Sequence, residues 1–212
     1  MGRHTGRPQP HETTRRAILD AALQLFVSQG YALVSIRNIA SKVGYSPGAL
    51  YSYFPSKDDI FLALAEEGFR KLGAEALATR VTSDSLSDLA DTAWRLYAFS
   101  KEQPQYFALV FLDRHVPRIG PESERFAFMS DIKASLLARV QRCVSEGLFP
   151  VSVHPRVALR LLWAAVIGIA SLRLSDRLAP GEDPDALIRD AINTTIAGLR
   201  AGAAVSLQGV SS

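Results

Sequence analysis

Apolar residues recur along this chain at spacings of three and four, and nowhere alternate with polar ones over the length of a strand. That pattern confines the fold to packed helices, each hiding one stripe. Ile18, Ala21, Ala22, Leu25 and Phe26 form the first stripe, with Thr13 or Thr14 placed to cap it and Gly30 to stop it. Ile36, Ile39, Ala40 and Val43 form a second, opened by Ser35 and closed by Gly44. A third starts at Ser46-Pro47, a cap followed by proline where the missing N–H is harmless. It is predicted to reach about Phe54, because Pro55 disfavours helical dihedrals before it. Ser56 opens a fourth helix through Phe61, Leu62, Ala65, Phe69 and Leu72, and further helices are predicted over 86–103, 104–112, 122–146, 155–174 and 185–199. The expectation is an all-α chain of about nine helices with no internal repeat.

Composition narrows the function. At 212 residues, 48% apolar and 21% charged, the chain has the balance of a soluble globular protein with room for one large domain or two small ones. Its longest uncharged, mainly apolar run, 161–172, has 12 residues against the roughly 20 of a membrane span, so no membrane partner is expected. The polar N-terminus, with Pro8 and Pro10, does not read as a secretion signal, which points to the cytoplasm. Cys143 is alone, and His4, His11, His115 and His154 have no ligand spacing. With no nucleophile–base pair and no phosphate loop either, no catalytic residue, metal or cofactor is expected.

Charge is unevenly placed. Residues 1–57 carry seven basic side chains against Glu12 and Asp20, a net of +5, whereas the other 155 carry 17 basic and 19 acidic. A basic end on a mildly acidic body suits a polyanion such as DNA. Residues 1–11 read as a basic arm without periodicity. Residues 35–54 add a specific layout: two short helices joined by a turn at Gly44-Tyr45, the helix-turn-helix. Leu50 and Phe54 are the inward residues of the second short helix, leaving Tyr45, Pro47, Gly48, Tyr51 and Ser52 for a DNA groove. Gly48 costs about 1 kcal/mol relative to alanine inside a helix, which a close backbone approach to DNA would explain. Tyr51 is placed to donate to a phosphate oxygen, and a phosphate beside Lys57 would relieve a cation set in the first turn of a helix.

The run from Ile18 to Asp59 resembles the N-terminal domain of the tetracycline-repressor (TetR) family. The resemblance rests on Ala21-Ala22, Leu25-Phe26, Gly30, Ile39-Ala40, Gly44, Ser46, Gly48, Leu50-Tyr51, Tyr53-Phe54 and Lys57, all at the family's spacings. It implies a bacterial regulator with an N-terminal three-helix DNA-binding domain and a C-terminal helical domain for effector binding and dimerisation. The boundaries expected are 1–11 for the arm, 12–57 for the DNA-binding domain, 58–200 for the helical body and 201–212 for a flexible tail. On matching positions the resemblance implies that Ser35, Arg37, Tyr45, Ser46, Pro47, Gly48, Tyr51, Ser52 and Lys57 face double-stranded DNA, with Arg37, Tyr45 and Pro47 touching bases. Further on, Trp163-Ala-Ala-Val-Ile167-Gly168 is similar to a Trp-x-x-x-His-Gly pattern of one subgroup, with Ile167 in the place of the histidine.

One helix-turn-helix reads few base pairs, so a homodimer on a palindromic operator is expected. Stripes of Leu159, Leu162 and Val166, and of Ile192, Thr195 and Leu199, are the expected dimer face. Between head and interface, Phe69, Trp94, Tyr97, Phe107, Phe111, Phe128 and Trp163 are the expected lining of a pocket for a small apolar or aromatic effector. The reading is a ligand-released repressor, nucleoid-associated when bound. Its rival is an effector-independent DNA binder with a solid helical core; an enzyme is the remote third.

Overall fold

The structure, a computed structural model, describes residues 10–78, 80–119 and 124–202. The expected basic arm, apart from its last two residues, and the tail beyond residue 202 lie outside the described residues. Among the described residues there are nine α-helices and no strand: α1 Pro10–Gln29, α2 Ile36–Val43, α3 Pro47–Tyr51, α4 Lys57–Ala78, α5 Ser85–Glu102, α6 Pro104–Phe111, α7 Phe128–Ser145, α8 Pro155–Leu174 and α9 Pro184–Arg200. Three departures from the sequence reading have local causes. The first helix begins at Pro10, with proline in its opening turn, so Thr13 and Thr14 lie inside it and not at its cap. The third stops at Tyr51, five residues and not eight, with Ser52 and Tyr53 in a turn. A 3-10 turn, Tyr31–Leu33, follows Gly30, whose φ of 84° only glycine adopts freely.

The chain forms two compact units. Unit 1 takes the described residues to Gly68 together with Gln105–Ile119; unit 2 takes the other described residues, those of 69–104 and of 124–202. Residue 57 is therefore not where the first unit ends: twelve residues of α4 and nearly all of α6 go with the head. In unit 1, Ile18, Ala22, Phe26, Ile39, Ala40, Leu50, Ile60, Phe61 and Leu64 are buried; of the stripe expected on α4, Phe61 and Ala65 are buried, Leu62 is half-buried, and Phe69 and Leu72 belong to unit 2.

Unit 2 packs α5 against α7, α8 and α9. Its polar tie lies where α5 starts. Asp88, buried, accepts the N–H and hydroxyl of Thr82, each at 2.8 Å, and Arg142 Nη2 at 2.6 Å. Arg142 Nε donates to Ser85 Oγ, which donates to Glu146. Burial would push the Asp88 carboxyl up, but Thr82 and Arg142 outweigh it and hold its pKa below the ordinary value. Asp88→Asn should destabilise the chain by about 2–4 kcal/mol at pH 7, since Arg142 keeps some access to water when its partner is lost. A lowered folded pKa means that this contribution is complete above the unfolded carboxyl pKa of about 3.9 and is lost as pH falls through the folded value. Denaturant unfolding should show the wild-type and variant curves converging below about pH 4.

Candidate nucleic-acid interface

Two caps build the reading surface. Ser35 Oγ accepts the Asn38 N–H at 3.2 Å while Asn38 Oδ1 accepts the Ser35 N–H at 2.8 Å, a reciprocal box that starts α2. Gly44, left-handed at φ 76°, ends α2 and turns the chain. Ser46 Oγ then accepts the Ala49 N–H at 3.2 Å and starts α3 at Pro47. A five-residue helix has no stability of its own; it is held by one wholly buried side chain, Leu50, with Phe54 buried just beyond.

What remains outward is the predicted set. Ser35, Arg37, Tyr45, Ser46, Pro47, Gly48, Tyr51 and Ser52 are all exposed, Tyr51 at 54% and Tyr45 at 43%. Tyr45 Oη lies 3.3 Å from Thr14 Oγ1, which orients its ring from α1, and the Ser52 hydroxyl donates to the Ala49 carbonyl at 2.7 Å. Packing does not require the glycine at 48: an added Cβ would meet only Ser46 Oγ, at 3.9 Å.

Lys57 is placed differently. It is half-buried; its Nζ donates to the Tyr31 carbonyl at 2.9 Å and sits 4.1 Å above the Tyr31 ring. Asp58 and Asp59 share its helical turn. The conflict between this cation and the start of α4 is met inside the protein, and no phosphate is needed to account for it. The sequence reading missed Tyr31 altogether. Its signal was a tyrosine following a glycine between two helices, which a search for groove-facing residues passes over.

The seven aromatics expected around a pocket are divided between the two units. Phe107 and Phe111 meet at a tilt, with 5.0 Å between ring centres, in unit 1, and the other five are in unit 2. Tyr97 is wholly buried, and its hydroxyl donates to Asp185 Oδ1 at 3.2 Å; burial first, then Asp185, pushes its pKa up to about 12. Trp94 lies under Arg189, and Phe128 under Arg70, each at 4.2 Å. Phe69 meets Phe126 edge-on at 6.0 Å. Of the seven, Trp163 alone lines the interior gap found in unit 2, a crevice among Leu89, Ala93, Leu96, Leu136 and Leu162 with room for about one water molecule. Of the rest, Tyr97 and Phe107 are wholly buried, and Trp94 and Phe128 pack beneath cations.

The expected dimer stripe is also corrected. Leu162, Val166, Ile192 and Leu199 are buried within the single chain; Leu159 and Thr195 are half-buried. Those stripes are the faces that α8 and α9 turn toward each other and toward α5. The bare side of α8 is the row Arg156, Arg160, Ala164, Gly168 and Leu172, four residues apart, and a Cβ added at Gly168 would meet nothing within 4 Å. By length and composition α8 is long and apolar enough to cross a membrane, an 18-residue window within it having a mean hydropathy of 1.8, although the whole helix carries three arginines. The 12-residue uncharged run stopped at Arg160 and Arg173, although the helix itself was expected over 155–174, as found. Among the described residues no group of three or more His, Cys, Asp or Glu side chains could hold a metal ion.

Residues 18–64 match the family of bacterial regulatory proteins described as the tetR family, and residues 89–195, half of the chain, match the tetracyclin repressor-like C-terminal domain. The HTH-type transcriptional activator FasR of Mycolicibacterium smegmatis is 28% identical over 163 residues, 72% of this chain and 74% of that protein. An HTH-type transcriptional repressor of Mycobacterium tuberculosis is 39% identical over 62 residues, 29% of this chain and 33% of its own length. Among solved structures, a TetR family transcription regulator from Marinobacter aquaeolei matches with a TM-score of 0.71 at 22% identity, over 90% of this chain and 97% of that one. At that identity the likeness concerns the fold.

Proposed function

The chain belongs to the TetR family of bacterial regulatory proteins, and we propose that within it this protein is a homodimeric repressor, released from a palindromic operator by a small apolar effector. It is a transcriptional regulator and not an enzyme; family members bind DNA and small molecules and act as dimers. The observation that carries the proposal is the division of α2 and α3 into a buried apolar side, Ile39, Ala40 and Leu50, and an outward side made of Arg37, Tyr45, Pro47, Gly48, Tyr51 and Ser52. Arg37 and Tyr45 reach base edges, Ser35 and Tyr51 contact phosphate, and the bare backbone at Gly48 allows close approach. Lys57, with one donor already given to Tyr31, keeps two for a phosphate. The two copies join through the open row of α8 with the exposed side of α9, in the cytoplasm. Repression is supported by the relative named a repressor, while the relative covering more of the chain is named an activator.

The effector belongs to unit 2, where the crevice beside Trp163 opens to admit it. Its binding would be coupled to release by about 1–3 kcal/mol, with operator weakening effector to the same degree. The tightness of that crevice favours a second reading, a regulator with no effector, and native mass spectrometry of protein from its own cells would separate the two by showing a bound small molecule or none. The DNA reading is tested by selecting duplexes from a random library with the full chain. A palindrome should emerge, and light scattering should give twice 23.1 kDa. Arg37→Ala should lower affinity about tenfold and relax preference at one base pair in each half-site, whereas Tyr51→Phe should weaken all sequences alike. Selection of no sequence by a folded dimer would refute the reading.

A further inference from the structure

Every part of Tyr31 is in use. Its ring packs on Phe26 of α1 at 5.1 Å and edge-on to Phe61 of α4 at 5.6 Å. Its hydroxyl donates to Asp58, and its carbonyl accepts Lys57. Its N–H opens a 3-10 turn and so has no partner within that turn. The partner comes from 82 residues away: Asp113 Oδ2 accepts this N–H at 2.8 Å, while Oδ1 accepts the His115 N–H at 2.9 Å. Asp113 stands two residues beyond the end of α6, with a side chain only 15% exposed. Burial works to raise its pKa, but the two N–H donors and His115 prevail and keep it below the ordinary value, so it is anionic at neutral pH.

The opposite end of α6 is fixed to the same unit. Tyr106 lies against Gly68, where a Cβ would stand 3.2 Å from its ring. Burial, then a hydrogen bond with Glu67, pushes the Tyr106 phenol up to about 12, and Glu67 accepts Arg16 of α1 at 2.6 Å. From Tyr31 the route to the reading surface is short. The 3-10 turn and buried Val34 lead directly into Ser35, the cap of α2. The residue before Tyr31 is Gly30, the one position in this linker with a positive φ. Without Asp113, the segment from Tyr31 to Ser35 has a pivot at Gly30 and one fewer tie.

We propose that Asp113 is a positioning residue for operator reading: by holding the Tyr31 amide it fixes α2 relative to α6, and thereby restricts the half-site spacing that the dimer accepts. The idea rests on the palindrome-reading function proposed above. Spacing is the sensitive variable, because one base pair more or less turns the second half-site by about a tenth of a helical turn.

The test uses the full chain and the palindromic duplex that it selects, with versions one base pair longer and one shorter between half-sites. Wild type should prefer the selected spacing about tenfold or more. Asp113→Ala should reduce that preference below about threefold, leave affinity for random-sequence DNA unchanged, and speed hydrogen exchange at the Tyr31 amide at least about tenfold. Asp113→Asn, which keeps one acceptor oxygen, should fall between; it carries the test if the alanine variant does not fold. An equal loss of affinity at all three spacings would show a merely structural role and overturn the proposal, as would an unchanged preference. A wild type that selects no palindrome overturns the operator reading and this proposal together, whereas a selective wild type with equally selective variants overturns this proposal alone.

Discussion

Gly168→Glu should turn the dimer into a monomer without unfolding it, and operator affinity should fall at least about a thousandfold, from the specific range toward that of random DNA. The two halves of this expectation have separate causes. Within one chain the substitution is harmless: a Cβ at 168 meets nothing within 4 Å, and replacing glycine inside a helix gains up to about 1 kcal/mol. Across a two-fold axis the same carboxylate is presented twice at one apolar row, Ala164, Gly168 and Leu172, where each charge would be stripped of water beside its copy. Thermal unfolding should hold or rise while light scattering halves, and an anisotropy titration with the selected duplex should give the loss. Gly168→Ala, which adds a methyl group and no charge, separates crowding from charge, and Ile192→Ala is the contrast. Ile192 was expected at the interface from sequence but is buried within the chain, so its truncation should cost stability, about 2–5 kcal/mol, and leave the mass at that of a dimer. A Gly168→Glu chain that remains dimeric would move the interface away from α8.

The contrast between residues 168 and 192 shows what the amino-acid pattern could and could not disclose. Periodicity locates an apolar stripe but does not say what covers it. Leu162, Val166, Ile192 and Leu199 have the pattern of an interface and of an interior alike, and the neighbouring helices of the same chain claimed them. The open row of α8 escaped notice because, apart from Leu172, it is made of alanine, glycine and arginine, types that carry little hydrophobic signal. The aromatic residues misled for a related reason: Tyr97 and Phe107 are large and wholly buried, and bulk in a helix face says nothing about empty space beside it. The head was legible because its constraints are local. Ser35 and Ser46 as caps, Gly44 at a left-handed turn and Leu50 as anchor each act within a few residues of themselves, and all four stand where the sequence put them. Tyr31 and Asp113 are 82 residues apart, and no period or motif connects them. The same distance effect explains Lys57, whose partner in the 3-10 turn lies 26 residues earlier.

Leu50→Ala should abolish operator binding, with affinity down about a hundredfold or more, while the chain keeps most of its helix. Truncating a wholly buried leucine costs about 2–5 kcal/mol, depending on how far the site collapses. In a long helix that loss would be shared among many contacts; α3 has five residues and one buried side chain. Its other supports are weak by comparison: the Ser46 cap contributes about 1 kcal/mol, and Tyr51 is 54% exposed. The energy removed therefore exceeds what keeps α3 ordered, and the segment from Tyr45 to Tyr53 should fray while α1, α2 and α4 retain their own core of Ile18, Phe26, Ile39 and Ile60. Hydrogen exchange should rise at the Leu50, Tyr53 and Phe54 amides, which donate to the Ser46 and Leu50 carbonyls, and stay slow in α1. Tyr51→Ala completes the argument. It removes an exposed ring next door, so unfolding should shift by no more than about 0.5 kcal/mol while DNA affinity still falls. Two adjacent substitutions would then lose binding by different routes, one through order and one through contact, and exchange rates would tell them apart. If Leu50→Ala bound the selected duplex within threefold of wild type, α3 would not be the element that reads it.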